Sequence, residues 1–197
     1  GINNTLTNTY ITEYTANTLK FAGITSIPDS DSNADYAFGY ADVTPVPSVK
    51  DGTPVNPGLV KIADRYSSTD AGNVAKYLAG AAYYRLGQYE QAISYLEKYV
   101  GKDEVTPAEA LGMIGDCHAQ LDRPEEALKY YEKAAAKRDN SFTAPFYLMK
   151  AGNMAIYLKK YSVAEKHFRA IKDNYPESAQ AATVDKYIEF AAGAAKN

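Results

Sequence analysis

The segment Asp29-Ser30-Asp31-Ser32-Asn33-Ala34-Asp35 sets carboxylate or amide oxygens at every second position, the spacing with which a loop wraps a calcium ion. Asp29, Asp31, Asn33 and Asp35 are the candidate ligands. Ala34 stands where such a loop uses Gly for its sharp turn, and Tyr40 stands where a bidentate Glu would close the shell. A solvated acidic loop is therefore the competing reading. The run Asp116-Cys117-His118 brings together three reactive side-chain types. On a helix, however, neighbouring residues point about 100° apart and do not converge on one substrate atom. His118 reads instead as a packed histidine. With His118, His167 and Cys117 as the only such ligands, no zinc set forms, and Gly101-Lys102 lacks the frame of a phosphate loop. No catalytic residue and no cofactor are expected, so any chemistry is recognition, and the elements that present the side chains decide what is recognised.

Those elements belong to a chain of 197 residues with 46% hydrophobic and 23% charged residues, globular in composition. Its 21 basic and 24 acidic residues give a net charge of -3, which offers no basic field to nucleic acid or anionic lipid. Cys117 stands alone, so no intramolecular disulfide forms. The longest apolar stretch, Tyr77 to Tyr84, is far shorter than the roughly 18 residues of a membrane span.

The chain divides into unlike parts. The first part, residues 1–56, holds Leu6, Tyr10, Tyr14 and Phe21 at helical spacing and leads into a segment, Pro28 to Gly58, that has five of the nine prolines. The first stretch predicts a helix and the second a long irregular loop. A chain that begins at Gly rather than Met is expected to be a processed or trimmed product.

Residues 57–197 carry a repeat. Gly80, Gly115 and Gly152 lie 35 and 37 residues apart, a spacing typical of stacked helical repeats. Twelve positions after each glycine stands Ala92, Ala127 or Ala164, and sixteen after stands Leu96, Tyr131 or Phe168. Small residues therefore face large ones, as they do where the two helices of an antiparallel hairpin cross closely. The hairpins fall at about 73–104, 107–138 and 144–176. Gly87 suits the left-handed end of a helix. Asp122 with Pro124 and Glu125, and Thr106 with Pro107 and Glu109, predict N-caps with first-turn prolines. Ser178 to Ala194 reads as an amphipathic helix capping the last pair, and Pro57 to Tyr66 as half of an earlier, incomplete pair.

Gly80, Tyr83, Gly87, Tyr89 and Ala92 in the first unit, and Gly152, Tyr161, Ala164, Phe168 and Pro176 in the third, resemble the tetratricopeptide repeat family. The departures are His118 and Ala155 at the aromatic after the anchor, and Asp122 and Lys159 at the turn glycine. The resemblance implies an all-α fold, a right-handed superhelical stack of antiparallel helix hairpins forming an α-solenoid. It also implies a non-enzymatic interaction module. The first helices of such a stack line a concave groove, and the register nominates Tyr77, Tyr84, Arg85, Asp116, Gln120, Met149, Asn153 and Tyr157 as its partner-binding residues. The expected partner is a peptide or protein of unknown identity, bound by an adaptor or an assembly factor of chaperone type. Tyr77 and Ala81 do not match the basic and amide residues of the family members that clamp chaperone C-termini.

Residues 63–89 also resemble bacterial envelope proteins of this family that carry an N-terminal membrane anchor. That likeness implies a domain facing the periplasm, tethered through an anchor absent from this chain; a cytoplasmic location is the alternative. A self-associating scaffold, a homo-oligomer built through the end helices, is the alternative function, and calcium binding through residues 29–35 is another.

Overall fold

The computed structural model describes residues 58–196. The expected helix in residues 1–23, almost all of the loop from Pro28, and the calcium candidates Asp29, Asp31, Asn33 and Asp35 lie outside the described residues. Within them every regular element is helical, and consecutive helices pack against each other. The chain divides after Lys98 into two compact units.

The first unit holds α1 (Leu59–Arg65), α2 (Asp70–Arg85) and α3 (Tyr89–Leu96). Leu59 and Ala63 bury the inner face of α1, so the half-pair expected at Pro57 to Tyr66 is present. Thr69 caps α2, its hydroxyl accepting from the Gly72 N–H at 3.0 Å. Against α3 the anchor works as its spacing predicts: a Cβ on Gly80 would lie 2.5 Å from Leu96 Cγ and 3.2 Å from the Ala92 carbonyl. Tyr83 and Tyr95 stack beside this crossing with ring centroids 5.7 Å apart.

The second unit holds α4 (Thr106–Gln120), α5 (Pro124–Lys137), α6 (Thr143–Tyr157), α7 (Tyr161–Asn174), a 3-10 turn (Ala181–Thr183) and α8 (Val184–Ala194). Its core runs from Ala108 through Tyr131, Tyr147 and Phe168 to Val184, Ile188 and Ala191. A Cβ on Gly115 would meet the Tyr131 ring at 2.7 Å, and one on Gly152 the Phe168 ring at 2.3 Å. Each hairpin is therefore closed by one absent side chain and one large one.

The turns use one geometry three times. Gly87, Asp122 and Lys159, each seven residues after an anchor glycine, have φ of 72°, 55° and 56°. Around them the N–H of Gln88, Arg123 and Lys160 donates to the carbonyl of Tyr83, His118 and Ala155, and the preceding N–H to that of Tyr84, Ala119 and Ile156. This is the doubly bonded left-handed helix end. It corrects one expectation: Asp122 ends α4 rather than capping α5, and Arg123 occupies the cap position without a side-chain bond. Glu125 therefore closes no capping box, although Pro124 does start the helix.

A second correction concerns α4. Thr106 lies inside the helix, and the cap residue is Val105. The capping oxygen comes from Asp103, whose Oδ1 accepts from the N–H groups of Val105 at 2.9 Å and Thr106 at 2.7 Å. Asn140 does the same at the head of α6, accepting from Phe142 at 3.0 Å and Thr143 at 2.7 Å. A third is the terminal helix, which begins at Val184 rather than Ser178. Ser178 Oγ accepts from the Ala181 N–H at 3.2 Å and closes a turn before the 3-10 segment.

Candidate partner-binding groove

In the second unit α4 and α6 are the first helices of successive hairpins, and they touch. Gly112 permits this, since a Cβ there would fall 2.1 Å from the Tyr147 ring. One turn further along, Lys150 Nζ lies 2.6 and 2.8 Å from the two carboxylate oxygens of Asp116, and the Tyr131 hydroxyl donates to Asp116 Oδ1 at 2.6 Å. The ammonium also sits 5.2 Å from the Tyr131 ring centroid and 5.4 Å from that of Phe146. Asp116 thus joins three helices.

Beyond this node, helical spacing carries Gln120 on α4 and Asn153 and Tyr157 on α6 toward the C-terminal ends of the two helices. Gln120 and Asn153 are exposed, and Tyr157 keeps 68% of its surface in water. Met149 is half-buried and packs against the core, so it supports the surface more than it presents one. Toward the N-terminal ends the same stripes carry Glu109 on α4 and Phe146 on α6. Burial, and then the Glu109 and Asp116 carboxylates, hold the Tyr147 phenol well above the ordinary tyrosine value.

In the first unit the nominated residues lie on α2. Tyr77 and Tyr84 are half-buried, the Tyr84 ring resting 6.0 Å from that of Tyr89, and Arg85 is exposed in the last turn. Sequence reasoning missed Lys150, although its opposite charge stands one repeat length from Asp116. It also missed Phe142 and Phe146, 71% and 43% exposed, which stand four residues apart at the cap position and in the first turn of α6.

The run Asp116-Cys117-His118 is dispersed by the helix: Asp116 holds Lys150, Cys117 is buried, and His118 is half-buried with its ring stacked 5.2 Å from that of Tyr130. Among the described residues no group of three or more His, Cys, Asp or Glu is placed to hold a metal ion, and no helix is long and apolar enough to cross a membrane.

No curated protein matches the chain. A family model described as tetratricopeptide repeat matches residues 77–141, and a second of the same description matches residues 147–178. Their span covers all three glycine anchors, all three left-handed turns and the Asp116–Lys150 node, and such repeats serve as protein-interaction modules. The chain is a tetratricopeptide repeat protein.

Proposed function

We propose that this protein is an adaptor that binds an extended segment of a partner protein across the first helices of its repeats. In the second unit the segment crosses Gln120, Asn153 and Tyr157; the first unit, taken by itself, offers Tyr77, Tyr84 and Arg85 on α2 as a contact surface of its own. The observation that carries this reading is the exposure of Tyr157, Asn153 and Gln120 toward the C-terminal ends of two helices held by the Asp116–Lys150 pair. An exposed tyrosine offers large contact area at low entropic cost, and Asn and Gln can each donate to and accept from a peptide backbone.

The test is affinity capture from source-cell extract with three baits: the intact chain, the Tyr84→Ala/Arg85→Glu variant and a Gln120→Ala/Asn153→Ala/Tyr157→Ala variant. All must show the same helicity by circular dichroism. A protein held by the intact chain and lost from either variant supports the adaptor. Identical captures put the binding outside these helices and overturn the groove reading, and a chain that in sedimentation associates only with itself overturns it in favour of a scaffold.

The same proposal places the domain in a bacterial cell envelope, facing the periplasm and tethered by an anchor outside this chain. Its support is the likeness of residues 63–89 to anchored envelope proteins of the family. Fractionation of source cells tests it, and recovery with the cytoplasm overturns it.

A further inference from the structure

A cavity of about 290 Å³ opens at the N-terminal ends of α4 and α6. Phe142 and Phe146 line one side, and Gln180, from the chain before α8, lines another. Tyr147 lines it too, set edge-on to Phe146 with centroids 5.0 Å apart and only 6% exposed. The volume is just below the range of about 300–1,000 Å³ for small-molecule sites and suits one leucine- or phenylalanine-sized residue.

The group that selects the occupant is the Tyr147 hydroxyl. The ring crosses from α6 to α4, where its phenol end packs against Gly112, one turn from Glu109 in the cavity lining. A tyrosine buried this deeply ordinarily finds a partner for its hydroxyl, whereas among the described residues this hydroxyl has no hydrogen bond. Burial, and then the Glu109 and Asp116 carboxylates, keep the phenol protonated, so it can donate, and the same carboxylates repel an anionic acceptor. A cation brings no lone pair. The acceptor that remains is a neutral oxygen such as a peptide carbonyl. Neither Glu109 nor Lys150 is needed, since each already has a partner within the protein. Two other neutral groups of the lining, the Ser141 hydroxyl and the Gln180 carboxamide, form no side-chain hydrogen bond within the described residues and can serve the rest of a peptide group.

From this we infer that the cavity holds one uncharged apolar residue of an extended partner segment, its side chain against Phe142 and Phe146 and its carbonyl accepting from the Tyr147 hydroxyl. The inference deepens the groove reading and rests on it, since the cavity lies at the N-terminal end of the stripe that carries Asn153 and Tyr157. The apolar residue then fixes one end of the bound segment, and the remainder runs toward Gln120 and Tyr157.

The test uses the full chain labelled with nitrogen-15 and titrated by NMR with three short capped peptides, carrying Leu, Glu or Ser between Gly-Ser flanks, and with toluene, which has no acceptor oxygen. The Leu peptide is expected to shift the amides of Phe142, Thr143 and Phe146, with the Glu and Ser peptides about threefold or more weaker. In Tyr147→Phe the Leu peptide is expected to bind about threefold to tenfold more weakly while toluene binds as before, a split that a purely packing role for Tyr147 would not produce. Unchanged affinity of Tyr147→Phe for the Leu peptide overturns the inference, and so does an equal loss for the Leu peptide and toluene. Binding of the Glu or Ser peptide as tight as that of the Leu peptide overturns it, as does the absence of shifts around the cavity at millimolar peptide. Shifts confined to Gln120, Asn153 and Tyr157 overturn it as well, yet leave the groove reading standing.

Discussion

The ring of Phe168 fills the space that a side chain at Gly152 would occupy: a Cβ there would lie 2.3 Å from Phe168 Cε1. Phe168 is fully buried, so the ring has nowhere to swing. Ala has a helix propensity about 1 kcal/mol better than Gly, whereas overpacking a filled core costs about 1–3 kcal/mol. The second effect wins. Gly152→Ala is expected to lower unfolding stability by about 1–2 kcal/mol in urea titrations, and a Gly152→Ala/Phe168→Leu pair to recover part of that loss relative to Phe168→Leu alone. Unchanged or raised stability in Gly152→Ala would show that the crossing is looser than its geometry.

Lys159 and Asp122 adopt the left-handed conformation that Gly87 adopts without a steric penalty. Asp visits this region more readily than Lys, because its short polar side chain can bond locally. Replacing Lys159 with Gly removes a penalty of about 1–2 kcal/mol and adds about 0.4–1 kcal/mol of unfolded-chain entropy, a net gain of about 0.5–1 kcal/mol. Asp122→Gly should gain less. Thermal melts of the two single variants decide the matter, and a loss of stability in Lys159→Gly would contradict this account.

These turns also show where the sequence was legible. The hairpins could be read because Gly80, Gly115 and Gly152 stand sixteen residues before Leu96, Tyr131 and Phe168, and each pair is an observed contact. At Asp122 and Lys159 the resemblance marks the turn but the missing glycines hide its left-handed geometry, since its bonds come from backbone N–H groups that any residue can donate. Residue type favours Thr106 as a cap, but Asp103 accepts from the N–H groups of Val105 and Thr106 with a charged oxygen, and Thr106 becomes the first residue of the helix. The surface of the first helices was half legible. Helical register gives the exposure of Gln120, Asn153 and Tyr157, while the pairing of Asp116 with Lys150 depends on how two hairpins rotate against each other, which no spacing along one chain specifies.

Asp103 should report on the head of α4. The Thr106 hydroxyl, followed by the N–H groups of Thr106 and Val105, holds its carboxyl at about 2, below the ordinary 3.8. The folded state therefore favours the ionised form. Its stabilising effect is fully present above about pH 4 and is lost as the pH falls through about 2. Side-chain carbon-13 titration of Asp103 should give a midpoint near 2, with exchange of the Val105 and Thr106 amides quickening over the same range. Asn140, which caps α6 in the same way, carries no titrating group and serves as an internal control. A midpoint at the ordinary value would mean the bonds to Thr106 are not held in solution.

The Asp116–Lys150 pair should be worth more than an exposed ion pair. The two side chains keep only 23% and 32% of their surface, and the carboxylate also takes the Tyr131 hydroxyl. Exposed pairs couple by about 0.2–1 kcal/mol, whereas partly buried charge-assisted bonds reach about 1.5–3 kcal/mol. A double-mutant cycle of Asp116→Ala and Lys150→Ala is expected to give a coupling of about 1–2 kcal/mol, largely retained at 1 M salt because burial limits screening. Tyr131→Phe should weaken that coupling by leaving the carboxylate one bond short. A coupling below about 0.5 kcal/mol would release Asp116 to act as a partner ligand. With the expected value, its carboxylate is committed to holding α4 against α6, and Asp116→Ala should alter partner binding only as far as it loosens the helices that present Asn153 and Tyr157.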